Sequence, residues 1–353
     1  MELASPALAE VSAGRAVDVT ESGFGGAGAL AGGGAGMGRG APLVAVTGAT
    51  GFIGRRLVPA LAAAGFATRL LLRRDPVVRE WRSVKPQVVA GGLDDAAALK
   101  QLVDGAQVVI HVAGLIKAAR RAHFLAANRD GSAALARTVA RIAPRAHFLH
   151  VSSLAAREPS LSDYAASKRA GEEVVLETLR ERATVLRPPA IYGPGDRESM
   201  IFFQLARGKR IPLLGAPEAR AAMMHVDDLT GLMVALAAGS PQGGVLTTSD
   251  SRPGGYRWNE ILTAAAGAVG NAHPRLFQAP LPLLRLVALA GDIGRAFGSA
   301  NMLSSQKLRE VRHADWSVAG DALASAPGWS PRFTLEAGFA DAVRWYRSAG
   351  WLP

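Results

Sequence analysis

The sequence contains no cysteine. That absence removes disulfides, thiolate zinc sites, iron–sulfur clusters and a cysteine nucleophile from consideration. It also fits a reducing cytoplasm, the location we expect. No basic stretch precedes an apolar core near the N-terminus, so no secretory signal is read. No period of roughly 20–50 residues recurs, which argues against a repeat array. The histidines are dispersed and form no ligand cluster, so no metal is expected. Acidic residues are outnumbered by basic ones, 29 to 40, for a net charge of +11. The excess is nearly all arginine scattered among alanines. Such scatter describes solvated helix faces rather than a clustered nucleic-acid face, so no nucleic-acid partner is expected. The charge would still attract a phosphorylated cofactor or an anionic membrane surface.

What is present is an ordinary globular composition, 49% hydrophobic and 20% charged, with ample material for a core. Residues 1–41 stand apart. Gly23 to Gly40 is mostly Gly and Ala without periodicity, and such a segment cannot bury enough apolar surface to offset its chain entropy. We expect a disordered tail, and translation that begins at Met37; a native species whose intact mass starts at Met1 would refute that start.

From Pro42 strands and helices alternate. Strands are expected at Leu43–Val46, Thr68–Leu72, Val88–Ala90, Val108–Val112, Phe148–Val151 and Thr184–Leu186. Helices are expected at Arg55–Ala64, Asp95–Val103, Ser132–Ile142 and Tyr164–Arg180. Pro59 predicts a kink or a late start in the first helix. The rhythm implies an α/β fold, a Rossmann-type doubly wound parallel sheet with helices on both faces. After Arg187 it fades, although His225–Asp228 and Val245–Thr248 read as edges of the core sheet. The expected organisation is a dinucleotide-binding core over 42–187, with returning segments near 217–248. A smaller C-terminal substrate lobe takes 188–216 and 249–353.

Between the first strand and first helix, Gly48, Gly51 and Gly54 form G-x-x-G-x-x-G. Glycines there permit a tight turn and close approach of a pyrophosphate to a helix N-terminus. An NAD enzyme would carry an acid after the second strand for the ribose 2′-hydroxyl. Here Leu71-Leu-Arg-Arg-Asp75 offers Arg73 and Arg74, whose donor forks suit a 2′-phosphate. NADP(H) is therefore favoured; NAD(H), read by Asp75, stays open. Asp94 follows the third strand, either near the adenine or as a helix N-cap.

Tyr164 and Lys168 sit four residues apart, on one helix face. A free tyrosine titrates near about 10, and a neighbouring ammonium would lower that value and make the phenol an acid–base group. Ser152 and Ser153 end the fifth strand, where a hydroxyl can hold the substrate oxygen.

These elements together are similar to the short-chain dehydrogenase/reductase superfamily, in its extended NAD-dependent epimerase/dehydratase branch. The motifs are TGATGFIG (47–54), HVAG (111–114), NRDG (128–131), VSS (151–153), YAASK (164–168), LRPPAIYGPGD (186–196) and HVDDL (225–229). The resemblance implies Tyr164, Lys168 and Ser153 as a catalytic triad, with Ser152 as fallback, and Asn128 holding a water in the proton relay. It implies cofactor contacts from Gly48, Thr50, Gly51, Phe52, Ile53, Gly54, Lys168 and Pro188, with Val112, Ala113 and Gly114 lining the nicotinamide side. The arginines after strand two are similar to those of dihydroflavonol-reductase-like members, which use NADPH. Family members often form homodimers through the helices bearing Asn128 and Tyr164. His111 is expected to pack rather than react, and His225 and Asp227 to fix a turn.

Two departures bear on substrate. Sugar-nucleotide members carry an Asn where Ala190 stands and a phosphate-binding Arg where Ala221 stands, one residue after Arg220. The expectation is an NADP(H)-dependent oxidoreductase acting on a carbonyl or alcohol of a small, rather apolar substrate. The alternatives kept are an NAD-dependent nucleotide-sugar epimerase or dehydratase, and a non-catalytic NAD(P)-binding scaffold. Pro280–Phe297 is strongly apolar, with Arg285, Asp292 and Arg295 on one stripe. It is no membrane span. It packs in the lobe, roofs an apolar pocket or makes peripheral contact with a bilayer surface.

Overall fold

The computed structural model describes residues 40–74, 78–296 and 304–353. The expected tail, save its last two residues, and Asp75 lie outside them.

The first six strands are β1 (Leu43–Thr47), β2 (Ala67–Leu72), β3 (Gln87–Ala90), β4 (Val108–His111), β5 (His147–Val151) and β6 (Ala183–Arg187). Most of their residues are buried and apolar, the composition of strands covered on both faces. Short strands follow: β7 (Ala190–Tyr192), β8 (Arg210–Leu213), β9 (Arg220–Ala221), β10 (Met223–His225) and β11 (Gly244–Thr247). The last are β12 (Tyr256–Arg257), β13 (Arg275–Gln278) and β14 (Asp315–Trp316). The central sheet runs β11-β6-β5-β4-β1-β2-β3, and every pairing in it is parallel. The order reverses between β1 and β4. In such a Rossmann-like sheet the crevice beyond the carboxyl ends of these two strands receives the ligand.

Helices α1 (Phe52–Ala63) and α2 (Ala96–Val103) follow β1 and β3. Next come α3 (Arg121–Leu125), a wide π turn over Ala126–Asp130, and α4 (Gly131–Ile142). They form one helical run that begins well before the expected Ser132. Helix α5 (Asp163–Leu179) carries Tyr164 and Lys168. Then come α6 (Met200–Ala206), α7 (Val226–Ala238), α8 (Trp258–Val269), α9 (Leu281–Ala296), α10 (Ser305–Arg312) and α11 (Leu335–Ser348). Side-chain caps set several starts: Asp95 accepts from the Ala97 and Ala98 amides, and Ser162 from that of Ala165. Each satisfies amides that the first helical turn leaves without partners.

Two apolar clusters cover the sheet. One joins α1 and α7 through Leu57, Leu61, Leu229 and Leu232. The other joins α2, α4 and α5 through Leu99, Leu102, Leu135 and Val175. A third gathers Tyr192, Phe203, Phe339 and Tyr346 where α6, α8 and α11 meet.

Three local expectations are corrected. Of the two outcomes expected at Pro59, the late start is overturned, since α1 starts at Phe52 and runs across the proline. It leaves only the Arg55 carbonyl without its helical donor. Residues 225–228 do not edge the core sheet: His225 ends β10, which pairs with β7 in a separate sheet. The His225 Nδ1 then accepts from the Asp227 amide at 3.2 Å and starts α7. Finally, Asp95 and not Asp94 caps α2.

Candidate active site

The glycine turn is built by contact. Gly48 has φ of +73°, and a Cβ there would stand 2.4 Å from the Ala113 nitrogen. A Cβ at Gly54 would stand 2.2 Å from the Gly48 carbonyl oxygen. Any side chain at either position would push β1, α1 and the end of β4 apart. Gly51, the N-cap of α1, offers no side-chain cap, so the first amides of α1 are left for an external acceptor. That arrangement fits a dinucleotide pyrophosphate. Thr50, Phe52, Ile53 and Pro188 line the adjoining cleft of about 540 Å3.

Beyond β4, the Val112 amide donates to the Thr47 carbonyl at 3.2 Å, and the Ala113 amide reaches Thr47 Oγ1 at 3.4 Å. Asn128, in the π turn, is buried. Its Oδ1 accepts from the Leu115 amide at 2.7 Å; its Nδ2 donates to the Leu115 carbonyl and to Ser167 Oγ, both at 2.9 Å. These bonds hold the 112–115 loop against α5. A Cβ on Gly114 would lie 3.2 Å from Asn128 Oδ1 and 3.5 Å from Lys168 Nζ. Gly114, Asn128 and Lys168 therefore converge on one point.

The two serines separate. Ser152 is buried, and its hydroxyl donates to Glu172 Oε1 at 2.6 Å. Glu172 in turn accepts from Arg187 Nε at 2.9 Å and Nη2 at 2.6 Å. Ser153 and Tyr164 both line the cleft, and the Ser153 hydroxyl accepts from the Ala155 amide at 3.2 Å. Ser152, Ser153 and Tyr164 all line the cleft; the Ser152 hydroxyl is engaged by Glu172, while no carboxylate among the described residues holds that of Ser153.

Lys168 Nζ donates to the Val151 carbonyl at 2.8 Å. Burial brings its ammonium down to about 8, against the Glu172 carboxylate, which favours the charge. Burial pushes the Tyr164 phenol up to about 12; the Ser153 hydrogen bond opposes the rise and the Glu310 carboxylate adds to it. This corrects the expected depression of the tyrosine. With Nζ turned to the Val151 carbonyl, desolvation of the phenol is the largest influence. Two neutral histidines pack beside the lysine. His111 is held down to about 3 by burial and then by Lys168. It stays packed, with Nδ1 2.6 Å from Thr47 Oγ1 and Nε2 3.0 Å from Ser132 Oγ. His150 stacks on it with ring centroids 5.2 Å apart and is lowered by the same causes.

Arg73 and Arg74 follow β2 directly and are exposed. Asp94 is exposed too, its carboxylate folded back over Gly92. Arg220 donates to the Gly254 carbonyl at 3.4 Å and does not line the cleft. One part of the cleft lining was not foreseen. It comprises Asp196, Arg197 and Glu198 with Trp345 and Trp351. Asp196 caps its own turn by accepting from the Glu198 and Ser199 amides at 2.8 and 2.9 Å. The Arg197 guanidinium lies 4.6 Å over Trp351, and Glu198 pairs with Lys117 at 2.8 Å. The G-P-G-D turn at 193–196 was the available signal. Phe52, Ile53, Ile116, Ile191 and both tryptophans give the cleft an apolar lining.

Residues 44–246 match the family described as Epimerase: NAD dependent epimerase/dehydratase family. The chain belongs to that family. It is 47% identical over 313 residues to a protein of Caulobacter vibrioides named ceramide reductase, a match covering 88% of this chain and 96% of that protein. A protein of Methylococcus capsulatus named sterol demethylase protein B is 27% identical, with 87% and 99% covered. Among solved structures, that described as MoeE5 in complex with UDP-glucuronic acid and NAD has a TM-score of 0.62 at 20% identity, covering 87% of this chain and 99% of that one; the likeness concerns the fold. This member of the family is an NAD(P)-dependent oxidoreductase of the short-chain dehydrogenase/reductase type, working with a nicotinamide cofactor. Among the described residues no helix is long and apolar enough to cross a membrane, and no group of metal-ligating side chains occurs.

Proposed function

We propose that the chain uses NADPH to reduce a ketone on a long-chain amide lipid of the ceramide type to a secondary alcohol. The observation that carries the reading is that Ser153 and Tyr164 share the wall of a cleft with an apolar lining. The relative named ceramide reductase supports the lipid class, since the match spans 96% of that protein. In this reading residues 42–187, with the returning 217–248, hold the cofactor. Residues 188–216 and 249–353 shape the substrate side, where Trp345 and Trp351 supply apolar wall.

When bound, the nicotinamide supplies the hydride that reaches the carbonyl carbon. Ser153 and Tyr164 hold the carbonyl oxygen between two hydroxyls. As negative charge develops there, Tyr164 transfers its phenolic proton to that oxygen. A phenol held up at about 12 is fully protonated at neutral pH, which suits the reductive direction. Lys168 keeps a cation beside the phenolate left behind. Asn128 positions the loop that carries Gly114. Gly48, Gly51 and Gly54 hold the pyrophosphate, Val112 and Ala113 flank the nicotinamide side, and Asp94 stands at the adenine end. Arg73 and Arg74 hold the 2′-phosphate and set NADPH above NADH.

The test is a spectrophotometric assay with an oxo-ceramide in detergent. NADPH consumption and formation of the hydroxy lipid by mass spectrometry are expected, with NADH at least about tenfold less efficient. NAD retained through purification together with epimerisation of a UDP-sugar would overturn the reading.

A further inference from the structure

Helix α9 breaks the usual rule for a surface helix. Successive residues turn by about 100°, so Leu284 and Ala288 share one side while Leu286, Leu289 and Ile293 share the other. Leu284 and Ala288 are buried against Ala279, Leu308 and Leu214. On the opposite side Leu283, Leu286, Leu289 and Ile293 are 55%, 64%, 55% and 55% exposed, and Val287 extends the stripe. A soluble surface helix would place polar residues there. A contiguous exposed apolar stripe marks a contact that water does not make.

The surroundings say which contact. The ribbon of β8 and β13 leads directly into α9 and pairs Arg210 with Arg275 in register. Arg207, Lys209, Arg210, Arg275 and Arg285 are all exposed. No acidic residue occurs in 199–217 or in 261–291. The first acid after that stretch, Asp292, is engaged with the Ser305 amide at 3.0 Å. Phe277 on the ribbon is also exposed, beneath the Arg210 guanidinium at 5.1 Å. None of the described α9 side chains lines the active-site cleft, so the stripe is not a roof over the substrate.

We propose that α9 lies flat on an anionic bilayer surface, its leucine stripe inserted among the acyl chains and its flanking arginines on lipid phosphates. Apolar insertion and cation–phosphate attraction act together in such interfacial helices. The attachment is peripheral and reversible. It is independent of which ketone the cleft accepts, but it would hold the enzyme at the surface where a membrane lipid resides.

The test is vesicle flotation of the full chain with phosphatidylcholine vesicles, with and without phosphatidylglycerol. Binding is expected only where phosphatidylglycerol is present, and it weakens as salt is raised. The double variant L286E/I293E removes two exposed side chains and should lose at least about tenfold in partition. Its melting temperature and cofactor binding should match wild type, which separates this loss from misfolding and from any failure of the substrate assignment. Three outcomes would overturn the proposal. One is equal flotation of the variant. Another is a wild-type dimer that the variant dissociates in sedimentation, which would make the stripe an interface between copies. The third is failure of hydroxyl radicals to label Leu286 and Ile293 in the free monomer, which would mean the chain covers the stripe itself.

Discussion

Helices α5 and α9 invert each other's chemistry. Helix α5 buries Lys168 and Glu172, at 5% and 1% exposure, while α9 leaves four of its large aliphatic side chains more than half exposed. Both arrangements work against folding. A buried charge must recover its lost hydration through partners, and an exposed leucine forgoes the burial that would stabilise it. In α5 the partners are present: the Val151 carbonyl for Lys168, and Ser152 with Arg187 for Glu172. In α9 the partner must come from outside the described chain. The comparison teaches that departures from ordinary burial are informative in proportion to how completely the structure itself answers them.

The largest effect should come from α5. Tyr164→Phe removes the proposed proton donor and keeps the ring that packs edge-on against Phe124. Turnover of the oxo-lipid should fall by about 10^3, within the range of general acid catalysis, with the melting temperature nearly unchanged. Undiminished turnover would sink the assignment. Next is Glu172→Ala, which strips Arg187 and Ser152 of their acceptor at once. Loss of one partner from a buried ion pair is expected to cost about 3 kcal/mol, read as a lower urea midpoint at constant slope. If Ser152→Ala lowers turnover more than Ser153→Ala does, the division of labour between the serines is reversed.

The buried bases make stability depend on pH. His111 and His147 are held to about 3 and about 4, and His150 well below its ordinary value, with burial the first cause in each. Unfolded histidines titrate near 6.5, so below that pH the unfolded state binds more protons than the folded one. Stability should therefore fall as pH drops from about 6.5 towards 4. Lys168 works in a second window: the folded state favours its neutral form, so its contribution rises between about 8 and 10.5. Chemical denaturation across both windows checks the signs, and a midpoint flat from pH 7 to 5 would contradict the histidine contribution.

Legibility followed the length of the pattern. Strands β1, β2, β4 and β5 are apolar runs, and the turn after β1 has to be glycine because Ala113 and Gly48 crowd it. The Tyr164–Lys168 pair is a single-helix spacing, visible without any tertiary knowledge. The resemblance favoured Ser153 over Ser152, but the bond that engages Ser152 was not visible, because it depends on Glu172, which also holds Arg187 at the end of β6. The unforeseen part of the cleft lining was hidden for a similar reason. Arg197 meets Trp351 over 150 residues of chain, and β7, β9, β10, β12 and β14 are too short to carry a period. The early start of the helix before α4 escaped because the π turn around Asn128 shifts the helical phase.

The smallest expected effect is the most discriminating for α9, since it uses one residue type on two faces. Leu284→Ala removes a side chain packed on Ala288 and Leu308 and should cost about 2 kcal/mol. Leu286→Gln alters a side chain that contributes little to the folded monomer and should change stability by no more than about 0.5 kcal/mol. Equal losses for the two would mean that the outer stripe is buried in solution, and the contrast between α5 and α9 would then disappear. A large difference in stability, with vesicle binding weakened only by Leu286→Gln, would separate the face that builds the fold from the face that meets the lipid.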